Sequence, residues 1–349
     1  MLKQPLLHTI KRYLTLQTHK IYALPIVILM PHSACNCRCI MCDIWKDNKN
    51  LKQLTEADVT GLLKAFKQFG TRQVVMPGGE ALLNPNFFRF CEILKKQSIK
   101  VNLLTTGLLI KKNTSALIDH VDEIIVSLDG DEPLHDEIRN IKGAYAKLLE
   151  GVHYLKSLNS TQRITARTVI HKLNYQQWPA IIKAAKQLCV NQVSFLPADV
   201  SSHAFNREVL WTDARQHEIM LAKDELPRLK EIIEEIITVY AEEFKKGFIA
   251  ESPAKLRNIY DYYAAFYGLT PFPYKRCNAP WVSTVIEADG TVKPCFFHNA
   301  TGNIRDNTLG EILNSPTAIQ WRKNLDVAAD STCVKCVCYL NLHPRAAVS

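Results

Sequence analysis

Apolar and polar positions follow two alternating periods over most of the first 200 residues. Short runs of apolar and β-branched residues, typical of buried strands, lie at residues 26–30, 73–76, 101–105, 123–129, 163–170 and 192–196. The stretches between them repeat apolar residues every three or four positions and predict helices at residues 55–69, 87–97, 114–120, 144–158 and 175–188. Six strands joined by helical crossovers predict an α/β fold, with a helix-covered parallel sheet that is open or curved into a partial (β/α)6 barrel.

These patterns divide the chain into four parts. Residues 1–24 predict an N-terminal amphipathic helix, which we interpret as a cap on its own domain, although such a helix could also lie on a membrane surface. Residues 25–200 form the predicted barrel core, and residues 201–274 form a helical connector. Residues 275–349 form a small cysteine-rich module, in which alternating apolar residues beside an Asp-Gly turn predict a β-hairpin.

Composition narrows the class of protein. The 349 residues are 47% hydrophobic and 22% charged, a globular balance that excludes a disordered or fibrous chain. No apolar run reaches the ~18 residues needed to span a bilayer, and the first 20 residues lack the apolar region of a signal peptide. The net charge of +9 is spread along the chain, so we predict no nucleic-acid partner.

The eleven cysteines carry the chemistry. A large chain without a secretion signal is expected to use them for metal ligation rather than disulfides, and to work in a reducing cytoplasm. Cys91 and Cys189 lie within helical patterns and are predicted to be ordinary buried thiols.

One cysteine group directly follows the first predicted strand, where parallel α/β sheets place their active sites. Cys35, Cys39 and Cys42 have the spacing C-x3-C-x2-C, with Cys37 as an extra thiol to which we assign no role. Three thiolates in one loop can ligate three irons of a [4Fe–4S] cluster and leave the fourth iron open to a small molecule. A zinc site, which usually has four ligands in two pairs, and plain core cysteines are minor alternatives.

This spacing resembles the signature of the radical S-adenosylmethionine (SAM) superfamily. Gly78, Gly79 and Glu80 at the end of the second strand, and Ser127 at the end of the fourth, match two further motifs of that superfamily. The resemblance implies that Gly78, Gly79 and Glu80 bind the SAM amino group, and that Ser127 and Arg139 lie near the SAM ribose and carboxylate.

Four polar residues near these strand ends have less defined expected roles. Arg167 on the fifth strand is a second candidate for the SAM carboxylate. Asp129, Asp199 and His203 are candidates for a general base on location only.

A second cysteine group lies in the terminal module. Cys277, Cys295, Cys333 and Cys336 offer four thiolates in two pairs, which suit a closed zinc site or a fully ligated [4Fe–4S] cluster. The stretch resembles the auxiliary-cluster modules named SPASM and, in shortened form, Twitch. Few residues remain after Cys336, so we expect one auxiliary [4Fe–4S] cluster, in which Cys338 could replace Cys336.

The resemblance implies an enzyme. A donor such as flavodoxin or ferredoxin would reduce the core cluster, which cleaves SAM to methionine and a 5′-deoxyadenosyl radical that abstracts hydrogen from a substrate carbon. The auxiliary cluster would accept an electron, giving an oxidation or a cross-link. We expect a radical SAM oxidoreductase or maturase that acts on a peptide or protein side chain.

Two alternatives stay open. The first is a small-molecule dehydrogenase similar to those acting on aminocyclitols, which is favoured by the lack of a peptide-clasping domain before the first strand. The second is a non-catalytic iron–sulfur electron-transfer protein.

Overall fold

A single open sheet organises the molecule. The computed structural model describes residues 6–348, and within them nine strands lie side by side in the order β6-β5-β4-β3-β2-β1-β7-β8-β9. The strands are β1 Ile26–Leu29, β2 Gln73–Met76, β3 Lys100–Thr105, β4 Glu123–Ser127, β5 Arg163–Ile170, β6 Gln192–Pro197, β7 Ser283–Ile286, β8 Thr291–Lys293 and β9 Gly302–Asn303. Strands β1 to β6 pair in parallel, as the alternation of strands and helices predicts.

Helices connect and cover the strands. They are α1 Leu6–Thr18, α2 Glu56–Phe69, α3 Phe87–Lys95, α4 Ile110–His120, α5 Glu132–Arg139, α6 Ala144–Leu158, α7 Trp178–Gln187, α8 Asp213–Ile219, α9 Leu226–Val239, α10 Ala241–Lys245, α11 Pro253–Phe266, α12 Ala279–Val282, α13 Leu309–Leu313, α14 Pro316–Asn324 and α15 Ser331–Lys335. Within residues 6–348, no helix has the length and apolar character needed to cross a bilayer.

The two faces of the curved sheet have different surroundings. Residues on the outer face, such as Val27 and Val74, are fully buried beneath helices. Their neighbours on the inner face, such as Ile28 and Val75, are half-buried and line an open cavity. The alternation follows the two-residue period of a strand, and it confirms the prediction of a partial barrel.

The terminal hairpin extends the same sheet. Strand β7 pairs in parallel with β1, so that Ile26 lies beside Ser283, and β8 and β9 continue antiparallel. The turn needs Gly290, whose φ is +88° and where an added Cβ would lie 2.6 Å from Asn303 Oδ1. This pairing places the cysteine-rich end of the chain directly against the barrel.

The structure corrects two local expectations. Helix α5 was not predicted, because its eight residues are too few to show a helical period. Cys189, predicted to be a buried thiol, is exposed, since α7 ends at Gln187 and Cys189 has a φ of +55°. The first five residues of the predicted N-terminal helix lie outside the described residues.

Candidate iron–sulfur and SAM site

The core cysteine loop, residues 33–43, lies at the carboxyl end of β1 and in backbone contact with the loop after β2. Glu80 N donates to Ala34 O at 2.8 Å. A Cβ on Gly79 would lie 2.2 Å from Ala34 O, closer than any side chain can be accommodated. Glycine at this position is therefore a condition for the two loops to meet.

Two side chains that the sequence motifs did not indicate fix the backbone of this loop. Asn48 accepts from Cys35 N at 3.0 Å and donates to Cys35 O at 2.9 Å. Trp45 Nε1 donates to Cys39 O at 3.3 Å. Both residues lie in the turn after the last cysteine, where local spacing gives no signal for such contacts.

The buried Glu80 carboxylate is hydrogen-bonded to other groups of the protein. It accepts hydrogen bonds from both the hydroxyl and the backbone N–H of Thr106, from the Thr105 hydroxyl and from Leu82 N. Burial raises its pKa. The Thr106 hydroxyl also lies 3.0 Å from Asn36 Oδ1, so Glu80 and Thr106 link the ends of β2 and β3 to the cysteine loop.

A buried ion pair lies beneath the cysteines. Arg139 pairs with Asp129, and its Nη1 lies 3.5 Å from Cys39 Sγ. The pKa of the Cys39 thiol is lowered, first by the neighbouring Cys37 thiol and further by the Arg139 charge, and this outweighs the effect of burial. The Arg139 side chain, expected near the SAM carboxylate, contacts the cysteine loop itself.

Ser127 and Arg167 lie side by side on the inner face of the sheet, where the registers of β4 and β5 pair them. Both are half-buried, and Arg167 borders the barrel cavity. Their position is compatible with contact to a ligand above the sheet, as the resemblance implies for Ser127.

The segment after β6 supports the cysteine loop from behind. Asp199 forms a buried ion pair with Arg207 at 2.6 Å, and Arg207 Nη2 also donates to Met41 O at 3.4 Å. Trp211 Nε1 donates to Asp43 Oδ2 at 2.7 Å, and the Arg207 guanidinium stacks on the Trp211 ring. Since Asp129 and Asp199 are both held in buried ion pairs, the structure favours neither of them as a free general base.

The three core cysteines suit an iron–sulfur cluster by donor type and surroundings. None of them forms a disulfide, and burial raises the pKa of the Cys35 and Cys42 thiols to about 12. Three free thiols within eight residues are soft donors, and a bound metal would deprotonate them. The nearby Arg139 supplies positive charge for the resulting thiolates.

The auxiliary cysteines converge from three separate segments. Asn278 N donates to Leu340 O at 2.8 Å, which brings the start of the module against its end. The five thiols border one cavity and belong to Cys277, Cys295, Cys333, Cys336 and Cys338. Cys338 is exposed and the other four are half-buried.

Polar groups surround these thiols. His298 Nε2 lies 3.3 Å from Cys333 Sγ, and the backbone N–H groups of Phe297 and His298 donate to Cys295 Sγ. Lys275 lies close enough to Cys336 and Cys333 for their charges to interact, and burial lowers its pKa. Soft donors with nearby cations and N–H groups fit an iron–sulfur cluster, since such groups stabilise its negative charge.

A cavity of about 320 Å³ lies between the barrel interior and the auxiliary cysteines. One wall is the inner face of the sheet, including Ile28, Val75 and Arg167, and the other wall is the group of five auxiliary thiols. A molecule in this cavity would contact both the barrel interior and the auxiliary cysteines.

Comparison with known families agrees with this architecture. Residues 29–185 match the model of the radical SAM superfamily, and residues 277–337 match SPASM, an iron–sulfur cluster-binding domain. The chain therefore contains a radical SAM domain and a C-terminal SPASM domain. The radical SAM domain binds SAM and a [4Fe–4S] cluster. The SPASM domain binds auxiliary iron–sulfur clusters.

Several characterised proteins are similar to this chain. The Fe-coproporphyrin III synthase of Methanosarcina barkeri is 22% identical over 92% of this chain and 84% of that protein. Protein AlbA of subtilosin biosynthesis in Bacillus subtilis is 24% identical over 81% of this chain and 58% of its own length. The PqqA peptide cyclase of Gluconobacter oxydans is 24% identical over 75% of this chain and 68% of its own length.

Among solved structures, Streptococcus suis SuiB bound to the precursor peptide SuiA has the same fold. Its TM-score is 0.64 at 16% identity, over 92% of this chain and 71% of SuiB.

Proposed function

We propose that this chain modifies a peptide or protein side chain by radical SAM chemistry, with a single auxiliary cluster as electron acceptor. The cavity that connects the barrel interior to the auxiliary cysteines carries the proposal, because a substrate bound inside the barrel there would also contact the auxiliary thiols. When bound, SAM and the core cluster supply the 5′-deoxyadenosyl radical that removes a hydrogen atom from the substrate.

Different residues of the core site bind the cluster and SAM. Cys35, Cys39 and Cys42 ligate the cluster and leave one iron for SAM. The backbone after β2, including Gly78 and Gly79, offers polar groups to the SAM amino group, while the Glu80 side chain fixes that backbone in place. In this proposal, catalysis rests on positioning and on exclusion of water.

The inner face of the barrel holds the rest of the SAM molecule. Ser127 and Arg167 face the SAM ribose and carboxylate, and Arg139 acts from below by neutralising the cysteine loop. Cys277, Cys295, Cys333 and Cys336 hold the auxiliary cluster. A reducing partner such as flavodoxin or ferredoxin supplies the first electron.

Relatives support the peptide substrate. AlbA takes part in the biosynthesis of a bacteriocin, and the cyclase of Gluconobacter oxydans acts on the PqqA peptide. A small-molecule substrate is the second candidate, because the match to Fe-coproporphyrin III synthase spans more of both chains than either peptide-related match. Arg167, Lys255 and Lys275 around the cavities would suit an anionic small molecule.

Anaerobic turnover tests the proposal. Reconstituted protein, reduced with dithionite in the presence of SAM, is expected to release 5′-deoxyadenosine, and a peptide encoded beside the gene should lose two hydrogen atoms by mass spectrometry. One hydrogen leaves with 5′-deoxyadenosine, and the other leaves as a proton and an electron. Failure to cleave SAM would favour a non-catalytic electron-transfer protein, and cleavage coupled only to a small molecule would favour the second candidate.

A further inference from the structure

Helix α1 has an unusual orientation, because its polar side packs against the protein and its apolar side faces outward. Leu6 and Leu7 are 74% and 62% exposed, whereas Arg12 is 3% exposed. Ile10, Tyr13 and Leu14 extend the exposed stripe at helical spacing along one side. A helix that served only as a cap would bury this stripe and expose its charges.

Directional contacts fix this orientation. Arg12 Nη1 donates to Ala346 O at 2.7 Å, and the Thr15 hydroxyl accepts from Tyr22 N at 2.9 Å. On the same side, His8 lies 3.2 Å from the Arg72 guanidinium. Because three different parts of the chain hold the polar side, rotation that would bury the leucines would break all of these contacts.

Three segments that meet at α1 contain cations and no acidic residues. Residues 1–42 include no Asp or Glu, and neither do α14 or residues 339–349. These segments meet at α1 and the turn that follows it, through Arg322 Nε donating to His19 O at 2.7 Å as well as through the contact of Arg12 with Ala346. Arg12 and Arg322 are themselves buried, whereas Lys20, Lys323 and Arg345 in the same segments are exposed and make this part of the surface basic.

We propose that α1 binds this protein to the surface of an anionic lipid bilayer, with Leu6, Leu7, Ile10, Tyr13 and Leu14 in the interface and the surrounding cations at the headgroups. An apolar stripe inserts between acyl chains while basic residues meet anionic headgroups. The inference is independent of the proposed substrate. It assigns peripheral attachment, in which the barrel and both cysteine sites stay outside the bilayer.

A second copy of the chain fits this surface less well. A symmetric dimer through α1 would place the same cations of both copies opposite each other. The stripe also comprises five side chains, whereas a stable protein interface uses roughly 20–30 residues on each side. An anionic bilayer complements the positive charge around α1, and five apolar side chains are enough to insert into its interface.

Vesicle co-sedimentation of the full chain tests the proposal. We expect binding to phosphatidylcholine vesicles that contain phosphatidylglycerol, and little binding to pure phosphatidylcholine. The variant Leu7→Ser/Ile10→Ser/Leu14→Ser should bind at least about tenfold more weakly, because three inserted side chains are lost. Salt should weaken binding of the unmodified chain, since it screens the attraction of the cations for the headgroups.

A matched control separates this stripe from apolar exposure in general. Leu158→Ser/Val239→Ser/Leu269→Ser removes three exposed apolar side chains elsewhere and should leave binding unchanged. Iron content and thermal unfolding check that each variant is folded. Equal binding to both vesicle types, or equal loss in both triple variants, would overturn the proposal. So would self-association in analytical ultracentrifugation that depends on the α1 leucines, which would identify a dimer face.

Discussion

The two cysteine sites are built in different ways. The core site takes its thiols from eight consecutive residues, 35–42, and packs them against the ends of β2, β3 and α5. The auxiliary site gathers five thiols from segments as far apart as Cys277 and Cys338, and hydrogen bonds between the start and end of the module hold them together.

This difference matches two different tasks. In the proposed function, Cys35, Cys39 and Cys42 beside the buried Arg139 would leave one cluster corner for an external ligand. Five thiols around a cavity provide enough donors for complete ligation by protein, with one to spare. An open cluster and a closed cluster should therefore respond differently when their ligands are removed.

Removal of the core thiols should have the largest effect. Cys35→Ala/Cys39→Ala/Cys42→Ala should lose about four of roughly eight irons and all SAM binding, because no nearby thiol can replace three ligands. Iron analysis and equilibrium binding of SAM measure both quantities. Cys189→Ala, at an exposed thiol far from either loop in sequence, is the control and should retain full iron content.

Substitution of Cys336 should remove the auxiliary cluster, whereas substitution of Cys338 should not. Cys336→Ala should lose about four irons, since Cys336 is the more buried thiol and accepts from the backbone N–H of Cys338. Cys338→Ala should retain them. The reverse pattern in iron analysis would make Cys338 the ligand.

A single added methyl group should separate the cysteine loop from the loop after β2. Gly79→Ala places a Cβ 2.2 Å from Ala34 O, and it should abolish SAM binding by displacing the cysteine loop. Gly61→Ala on α2 has no atom within 4 Å of the added Cβ and should bind SAM normally. Equal affinity of the two variants in SAM titrations would show that the contact is dispensable.

The buried ion pair beneath the core loop should matter for stability. Arg139→Met leaves Asp129 charged and buried, which typically costs about 3–5 kcal/mol in the free energy of unfolding. Arg257→Met removes the exposed pair with Glu234 and should change stability little. Denaturant unfolding of both variants, prepared without clusters, compares them, and similar midpoints would contradict the role given to Arg139.

The smallest expected effect concerns the potential of the auxiliary cluster. His298 lies 3.3 Å from Cys333 Sγ, and a donated hydrogen bond stabilises the reduced, more negative cluster. His298→Phe should lower the midpoint potential by about 60 mV, the one-electron equivalent of a hydrogen bond worth about 1.4 kcal/mol. Potentiometric EPR titration measures this, with the core cluster potential as an internal control. An unchanged potential would mean that His298 only packs there.

Sequence reasoning predicted the parts of the molecule that depend on short-range pattern. The six parallel strands and the hairpin were confirmed, because two-residue and helical periods are visible within a few residues. The family resemblance implied that Gly78, Gly79 and Glu80 bind the SAM amino group, and it did not predict the contact of Glu80 with the cysteine loop. The internal use of its carboxylate was not predicted, since Thr105 and Thr106 lie at the end of a different strand, β3.

Long-range polar contacts account for what was missed. Nothing near Arg207 or Trp211 in the sequence shows that they reach the cysteine loop from a segment more than 150 residues away. The sequence pattern also could not predict the inverted orientation of α1, because an amphipathic sequence does not show which side of a helix packs against the protein.

Mössbauer spectroscopy of anaerobically prepared, iron-57-enriched protein, with and without SAM, distinguishes an open core cluster from a fully ligated one. The account predicts two [4Fe–4S] clusters, of which one changes its spectrum at a single iron when SAM is added, and this change should be absent from the Cys35→Ala/Cys39→Ala/Cys42→Ala variant. Spectra that do not respond to SAM at either cluster, or zinc in place of iron at the core loop, would contradict it.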